Sequence, residues 1–112
     1  MGSVPAGPDR MALALELLQQ KARVFFARED IRRDIDKSRE TLVRERAMWD
    51  QLMTQPDVLR VTGCRSMEGV VKARQRRLVA ALENVRGFEE IERSHTVLLA
   101  ETERMIGEVF NG

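Results

Sequence analysis

The chain has 112 residues, with 19 basic and 18 acidic side chains, a net charge of +1 and 33% charged content. That length admits one domain, and so even a charge balance excludes a nucleic-acid tail or an acidic disordered arm. Apolar residues make up 43%, but only Trp49 and four phenylalanines are aromatic, with no tyrosine and three prolines. This also excludes a small β-domain, which needs aromatic and β-branched runs broken by frequent turns.

Residues 1–9 read as a disordered leader, with Pro5, Pro8 and two glycines and no apolar signal-peptide core. Asp9 is the expected N-cap of a first helix. From Arg10 to Gln55 there is neither glycine nor proline, which predicts one long helix over 10–54. Its apolar residues Met11, Leu15, Leu18, Ala22 and Phe25 alternate steps of four and three. The stripe then shifts near residue 28 and continues as Ile31, Ile35, Leu42, Trp49 and Leu52, a heptad-like seam with one irregularity. Glu29–Arg33 and Glu40–Arg44 are spaced as i,i+4 pairs on a solvated face.

Gln55-Pro56-Asp57 ends that helix, because the residue before proline is pushed out of the α region. A second helix is expected over 57–86, with weak points at Thr62-Gly63 and Gly69. Gly87 and a change of phase divide it from a third over 88–110, whose stripe is Phe88, Ile91, His95, Leu98, Met105 and Val109; two very long helices are the alternative. The expected fold is all-α: a three-helix antiparallel bundle, coiled-coil-like, with a long first helix, filling a single domain over 10–112. Its expected core is Leu18, Phe25, Ile31, Ile35, Leu42, Trp49, Leu52, Val71, Leu78, Leu82, Val85, Phe88, Ile91, Leu98 and Met105. Trp49 is expected to carry a large share of the stability. Charge follows the same division: residues 60–86 carry a net +5 and residues 87–112 a net −4, which suits two helices pairing as a hairpin.

Catalytic chemistry has few residues to draw on. His95 is the only histidine and lies on an apolar stripe, Cys64 is the only cysteine, and no catalytic signature joins them. No cluster has metal-ligand spacing and no glycine-rich phosphate loop occurs, so no catalytic residue, metal or cofactor is expected. No stretch approaches the roughly 18 apolar residues of a membrane span, and one unpaired thiol fits a reducing, cytoplasmic setting. The run Lys72-Ala73-Arg74-Gln75-Arg76-Arg77 is the sharpest charge feature. The acidic segment after it would repel a phosphate backbone, so an acidic protein partner is favoured over nucleic acid, and arginine's planar fork suits carboxylates. The apolar cluster from Met11 to Leu18 with Val24-Phe25-Phe26 is wider than one core stripe. A second helix starting after Pro56 would leave residues 11–22 uncovered. That arm, with Leu17, Phe26, Arg32 and Arg33, is therefore a candidate partner-binding surface, together with Arg76 and Arg77.

The stretch Val70-Val71-Lys72-Ala73-Arg74-Gln75-Arg76-Arg77-Leu78-Val79-Ala80-Ala81-Leu82 resembles the second helix of the tubulin-binding cofactor A family. The order of elements and the total length are similar as well. The family's Met-Ile-Pro-Asp-Cys element is here Val70-Val71-Lys72-Ala73-Arg74. The resemblance implies a three-helix bundle acting as a non-catalytic, cytoplasmic and cytoskeleton-associated chaperone that binds β-tubulin folding intermediates. The alternative is a homo-oligomeric coiled-coil scaffold or a helical chaperone for another protein. Either could act as a monomer or a homodimer.

Overall fold

A run without glycine or proline between Arg10 and Gln55 leaves nothing to interrupt a helix, and none is interrupted there. The structure, a computed structural model, describes residues 7–54 and 65–111. It contains helix α1 over Pro8–Met53 and helix α2 over Arg65–Asn111, and no strand occurs among the described residues. Gly7 adopts φ +67° and its carbonyl accepts the Met11 N–H at 3.1 Å. Gly7 is thus the residue that starts α1, and Pro8 takes the first helical position, where its missing N–H is not needed. Asp9, the cap expected from the sequence, lies instead in the first turn, beside the positive end of the helix dipole. At the other end Thr54 donates its N–H to the Asp50 carbonyl and its hydroxyl to the Gln51 carbonyl, each at 3.0 Å. The expected end of the first helix therefore holds. The break at Pro56, a helix start at Asp57, the weak point at Thr62-Gly63, Cys64 and leader residues 1–6 lie outside the described residues.

The boundary expected around Gly87 does not exist. α2 runs through Asn84–Phe88 without a break, so one long helix replaces the second and third of the expected bundle, leaving two helices among the described residues. Packing divides into two units, one joining Met1–Arg32 with Glu90–Gly112 and one formed by Arg33–Glu89.

In the first unit the two helices run antiparallel. Ala14, Leu17 and Val109 form a buried cluster with Leu13 and Ile106 against it, and the Arg10 side chain donates to the Val109 carbonyl. Gln20 Nε2 donates to Thr102 Oγ1 at 2.9 Å, and Thr102 Oγ1 donates to the Leu98 carbonyl at 2.8 Å. Those bonds satisfy the one fully enclosed side chain among the described residues. Lys21 Nζ lies 3.7 Å from Glu103, and Arg32 Nε donates to Glu92 at 3.0 Å. The same register sets Val24 level with Leu99, both buried, and Arg28 level with His95, both half-buried.

The second unit repeats the pattern. Ile35, Ala81 and Val85 are buried, while Leu42, Trp49, Leu52, Val71, Leu78 and Phe88 are half-buried. Arg39 donates to Glu89 at 2.8 Å. Arg74 lies 3.6 Å from a carboxylate oxygen of Glu45 and donates to the Met48 sulfur at 3.0 Å.

Along α1 one series of covered residues is Ala14, Leu17, Lys21, Val24, Arg28, Ile31, Ile35, Ser38, Leu42, Glu45, Trp49 and Leu52, with half-buried residues such as Leu13, Gln20 and Ala27 beside it. The matching series of α2 is Met67, Val71, Arg74, Leu78, Ala81, Val85, Phe88, Glu92, His95, Leu99, Thr102, Ile106 and Val109, with Gly87, Glu89 and Gly107 half-buried beside it. Each series alternates steps of three and four without slipping, as a coiled-coil seam does. The phase change near residue 28 and the one at Gly87 both come from following apolar residues past polar seam positions. Leu18, Phe25, Leu82, Ile91, Leu98 and Met105 were expected in the core and are exposed, each one position away from a covered residue. Trp49 is half-buried, so the loss of about 3–5 kcal/mol for truncating an enclosed aromatic is a ceiling for it.

Adjacent leucines on α2 separate the two phases. Leu99→Ala should lower unfolding free energy by about 2–5 kcal/mol, and Leu98→Ala by no more than about 0.5 kcal/mol, both read by chemical denaturation. The reverse order would mean that the exposed stripe is the packed one. Gly87 has no positive φ, and a Cβ built there meets nothing within 4 Å. Gly87→Ala should therefore raise stability by about 0.4–1 kcal/mol. A loss instead would locate a true bend at that residue.

Candidate interaction surface

The first unit leaves one of its apolar stripes outside the seam. Met11, Leu15, Leu18, Ala22 and Phe25 recur at seam-like spacing on the flank of α1, and all are exposed, Met11 to 76%. Phe26 adjoins them at 65% exposure and meets Phe25 edge-on, ring centroids 5.6 Å apart. The Arg28 guanidinium sits 5.7 Å from the Phe25 ring centre, within cation–π reach, while its Nε is buried with no hydrogen-bond partner. Antiparallel pairing sets Phe110 of α2, also exposed, beside the Met11 end of this stripe. On α2 itself Ile91, Leu98 and Met105 form a second exposed row seven residues apart, on the opposite flank of the unit.

Of the residues expected to bind a partner, Leu17, Phe26 and Arg32 lie in the first unit and Arg33, Arg76 and Arg77 in the second. Leu17 is 5% exposed and packs against Ala14 and Val109, so it is core and not contact surface. The Ala14–Leu17 side of that arm is covered by α2, because that helix continues past Gly87. Phe26 is exposed as expected. Arg32 is exposed but engaged, bonded to Glu92 and to Glu29 at 3.1 Å. Arg33 is exposed in the second unit, as are Arg76 and Arg77. Leu15 and Leu18 lie in the 11–22 arm offered from the sequence and are exposed, whereas Phe25, expected in the core, is the exposed residue missed. The signal for all three was present in the sequence as an apolar cluster too wide for a single seam.

Most ion pairs lie at the surface, while Arg74–Glu45 is half-buried in the seam of the second unit. Glu101 and Glu108 flank Arg104 on α2 and both bond its guanidinium. The hydrogen bond from Arg104, followed by its charge, holds the Glu101 carboxyl below its ordinary value. Arg104 is raised in turn, chiefly by its bond to Glu101. Lys72, Arg76 and Arg77 are exposed on α2 with no carboxylate partner among the described residues, and Lys72 and Arg76 border a shallow groove with Gln75, Val79, Ala80 and Glu83. His95 Nδ1 donates to the Ile91 carbonyl at 2.8 Å, a bond within its own helix that fixes the ring. Among the described residues no group of His, Cys, Asp or Glu could hold a metal ion. No helix there is long and apolar enough to cross a membrane.

Comparison with known proteins finds no matching family model, no matching curated protein and no matching solved structure.

Proposed function

We propose that the chain is a non-catalytic coiled-coil scaffold or helical chaperone that works by protein–protein contact. The observation that carries this reading is the uncovered stripe Met11, Leu15, Leu18 and Phe25 with Phe26. Contiguous apolar surface at regular spacing is a contact site in soluble proteins. Aromatic anchors such as the Phe25–Phe26 pair are the residues on which binding energy concentrates. The seam beneath fixes their positions, so the surface is presented on helix and not on loop.

A narrower reading takes β-tubulin folding intermediates as the partner, in a cytoplasmic and cytoskeleton-associated setting. It is favoured by Lys72, Arg76 and Arg77, exposed without carboxylate partners among the described residues in the stretch that resembles the tubulin-binding cofactor A family. Acidic protein surface is the chemistry those cations suit. The two-helix fold differs from the three-helix bundle of that family, which is why the broader reading is preferred.

A photo-crosslinking amino acid placed in the full chain tests both. At position 15 or 26 it should give protein adducts in large excess over position 37 or 90, which are polar and exposed. Equal yields at all four would contradict the scaffold reading. Adducts to purified β-tubulin at position 76, lost on Arg77→Glu, would select the narrower one; their absence would remove it.

A further inference from the structure

We propose that a second copy of this chain covers the stripe, the two α1 helices crossing antiparallel about a two-fold axis level with Gln20. This rests on the interaction-protein reading above and names the partner. Four observations on the first unit carry it.

The first is area. Met11, Leu15, Leu18, Phe25, Phe26 and Phe110 are each between 41% and 76% exposed. At about 200 Å² for a large side chain, they offer roughly 700 Å² per copy. Two copies would bury about 1,400 Å² between them, within the range of stable, specific interfaces.

The second is spacing. Met11, Leu15, Leu18, Ala22 and Phe25 follow steps of four, three, four and three, the same period as the seam already in use. A helix with two seams on adjoining flanks is built for a four-helix arrangement, each seam receiving a different neighbour. An isologous two-fold lets one stripe serve as both knob and hole.

The third is size. With the axis level with Gln20, Leu18 faces Ala22 of the partner subunit and Leu15 faces Phe25 of the partner subunit. Large meets small at the centre, where the helices approach most closely. The aromatic rings then close the interface on both sides.

The fourth is charge. The same axis brings Glu16 within one residue of the level of Arg23 of the partner subunit on one flank, and Arg23 likewise by Glu16 of the partner subunit, within reach of these long side chains. Parallel helices would set like against like at both positions. On the other flank Lys21 comes close to its own symmetry mate, and there its charge is already met by Glu103 at 3.7 Å.

Sedimentation equilibrium of the full chain across a wide concentration range tests this directly. The expected result is a monomer–dimer equilibrium that Leu18→Glu with Phe25→Glu weakens at least a hundredfold. Both residues are exposed in the single chain, so the helical circular dichroism of the dilute variant should match that of the unaltered chain. Glu16→Arg and Arg23→Glu should each weaken the dimer by roughly two- to fivefold, and the two together should restore it. A chain that stays monomeric up to about 1 mM overturns the second copy, while the crosslinking experiment above still decides the scaffold reading by itself. A dimer indifferent to Leu18→Glu with Phe25→Glu places association elsewhere and overturns the proposal. Failure of the charge swap to restore affinity overturns the antiparallel arrangement.

Discussion

The fold depends on one steric constraint: two helices pack side by side only where each turns a residue inward at alternating steps of three and four. This chain keeps that alternation along both helices while filling many of the inward positions with polar residues. Lys21, Arg28, Ser38 and Glu45 stand in the seam of α1, and Arg74, Glu92, His95 and Thr102 in that of α2. Such positions give little hydrophobic stabilisation, since the buried apolar residues are mainly valines, alanines and leucines. Their contribution is to register. Thr102 accepts from Gln20, and Glu45 lies by Arg74. Slipping the first unit by one heptad would part Gln20 from the enclosed Thr102 hydroxyl, a penalty of about 1–3 kcal/mol, and slipping the second would part Glu45 from Arg74. Polar layers thus choose one alignment among several that apolar packing alone would tolerate.

The polar layers also decide what could be read from the sequence. All-helical structure, the length of α1 and its end at Thr54 were legible, since they follow from the absence of glycine and proline. The part of the seam from Ile31 to Leu52 was legible because isoleucine, leucine and tryptophan mark most of it. Upstream of Ile31, Lys21 and Arg28 occupy the seam and leucines and phenylalanines occupy its flank, so apolar periodicity selected the wrong face. α1 is consequently barely amphipathic as a whole. In α2 the same inversion, with Glu92 and His95 inward and Ile91 and Leu98 outward, imitated a phase break. Gly87 then supplied a plausible but inactive boundary: one glycine weakens a helix by about 1 kcal/mol, less than the packing on either side of it supplies.

The surface follows from the same inversion. Apolar residues displaced from the seam do not vanish; they accumulate on its flank, and in the first unit they do so at a spacing that another helix can fill. The candidate site was therefore half legible. Its excess of apolar residues was visible, and Phe26 is exposed as the sequence led one to expect. Leu17 and Leu18 exchanged roles because assigning them requires knowing which of two interleaved stripes faces α2. The arginines of α2 had no such ambiguity, since a run of cations on consecutive turns must face solvent in part whatever the packing.

Methyl-resolved nuclear Overhauser spectroscopy of the chain, recorded on Leu18→Glu with Phe25→Glu to exclude contacts between copies, tests the seam most directly. Val24 and Leu99 are level in the register and both buried, so their methyl groups should show a strong mutual cross-peak. Leu98 methyls should show none to α1 at the level of Val24. A Val24 resonance without a cross-peak to Leu99, and Leu98 in contact with α1 in its place, would contradict the seam and everything built on it.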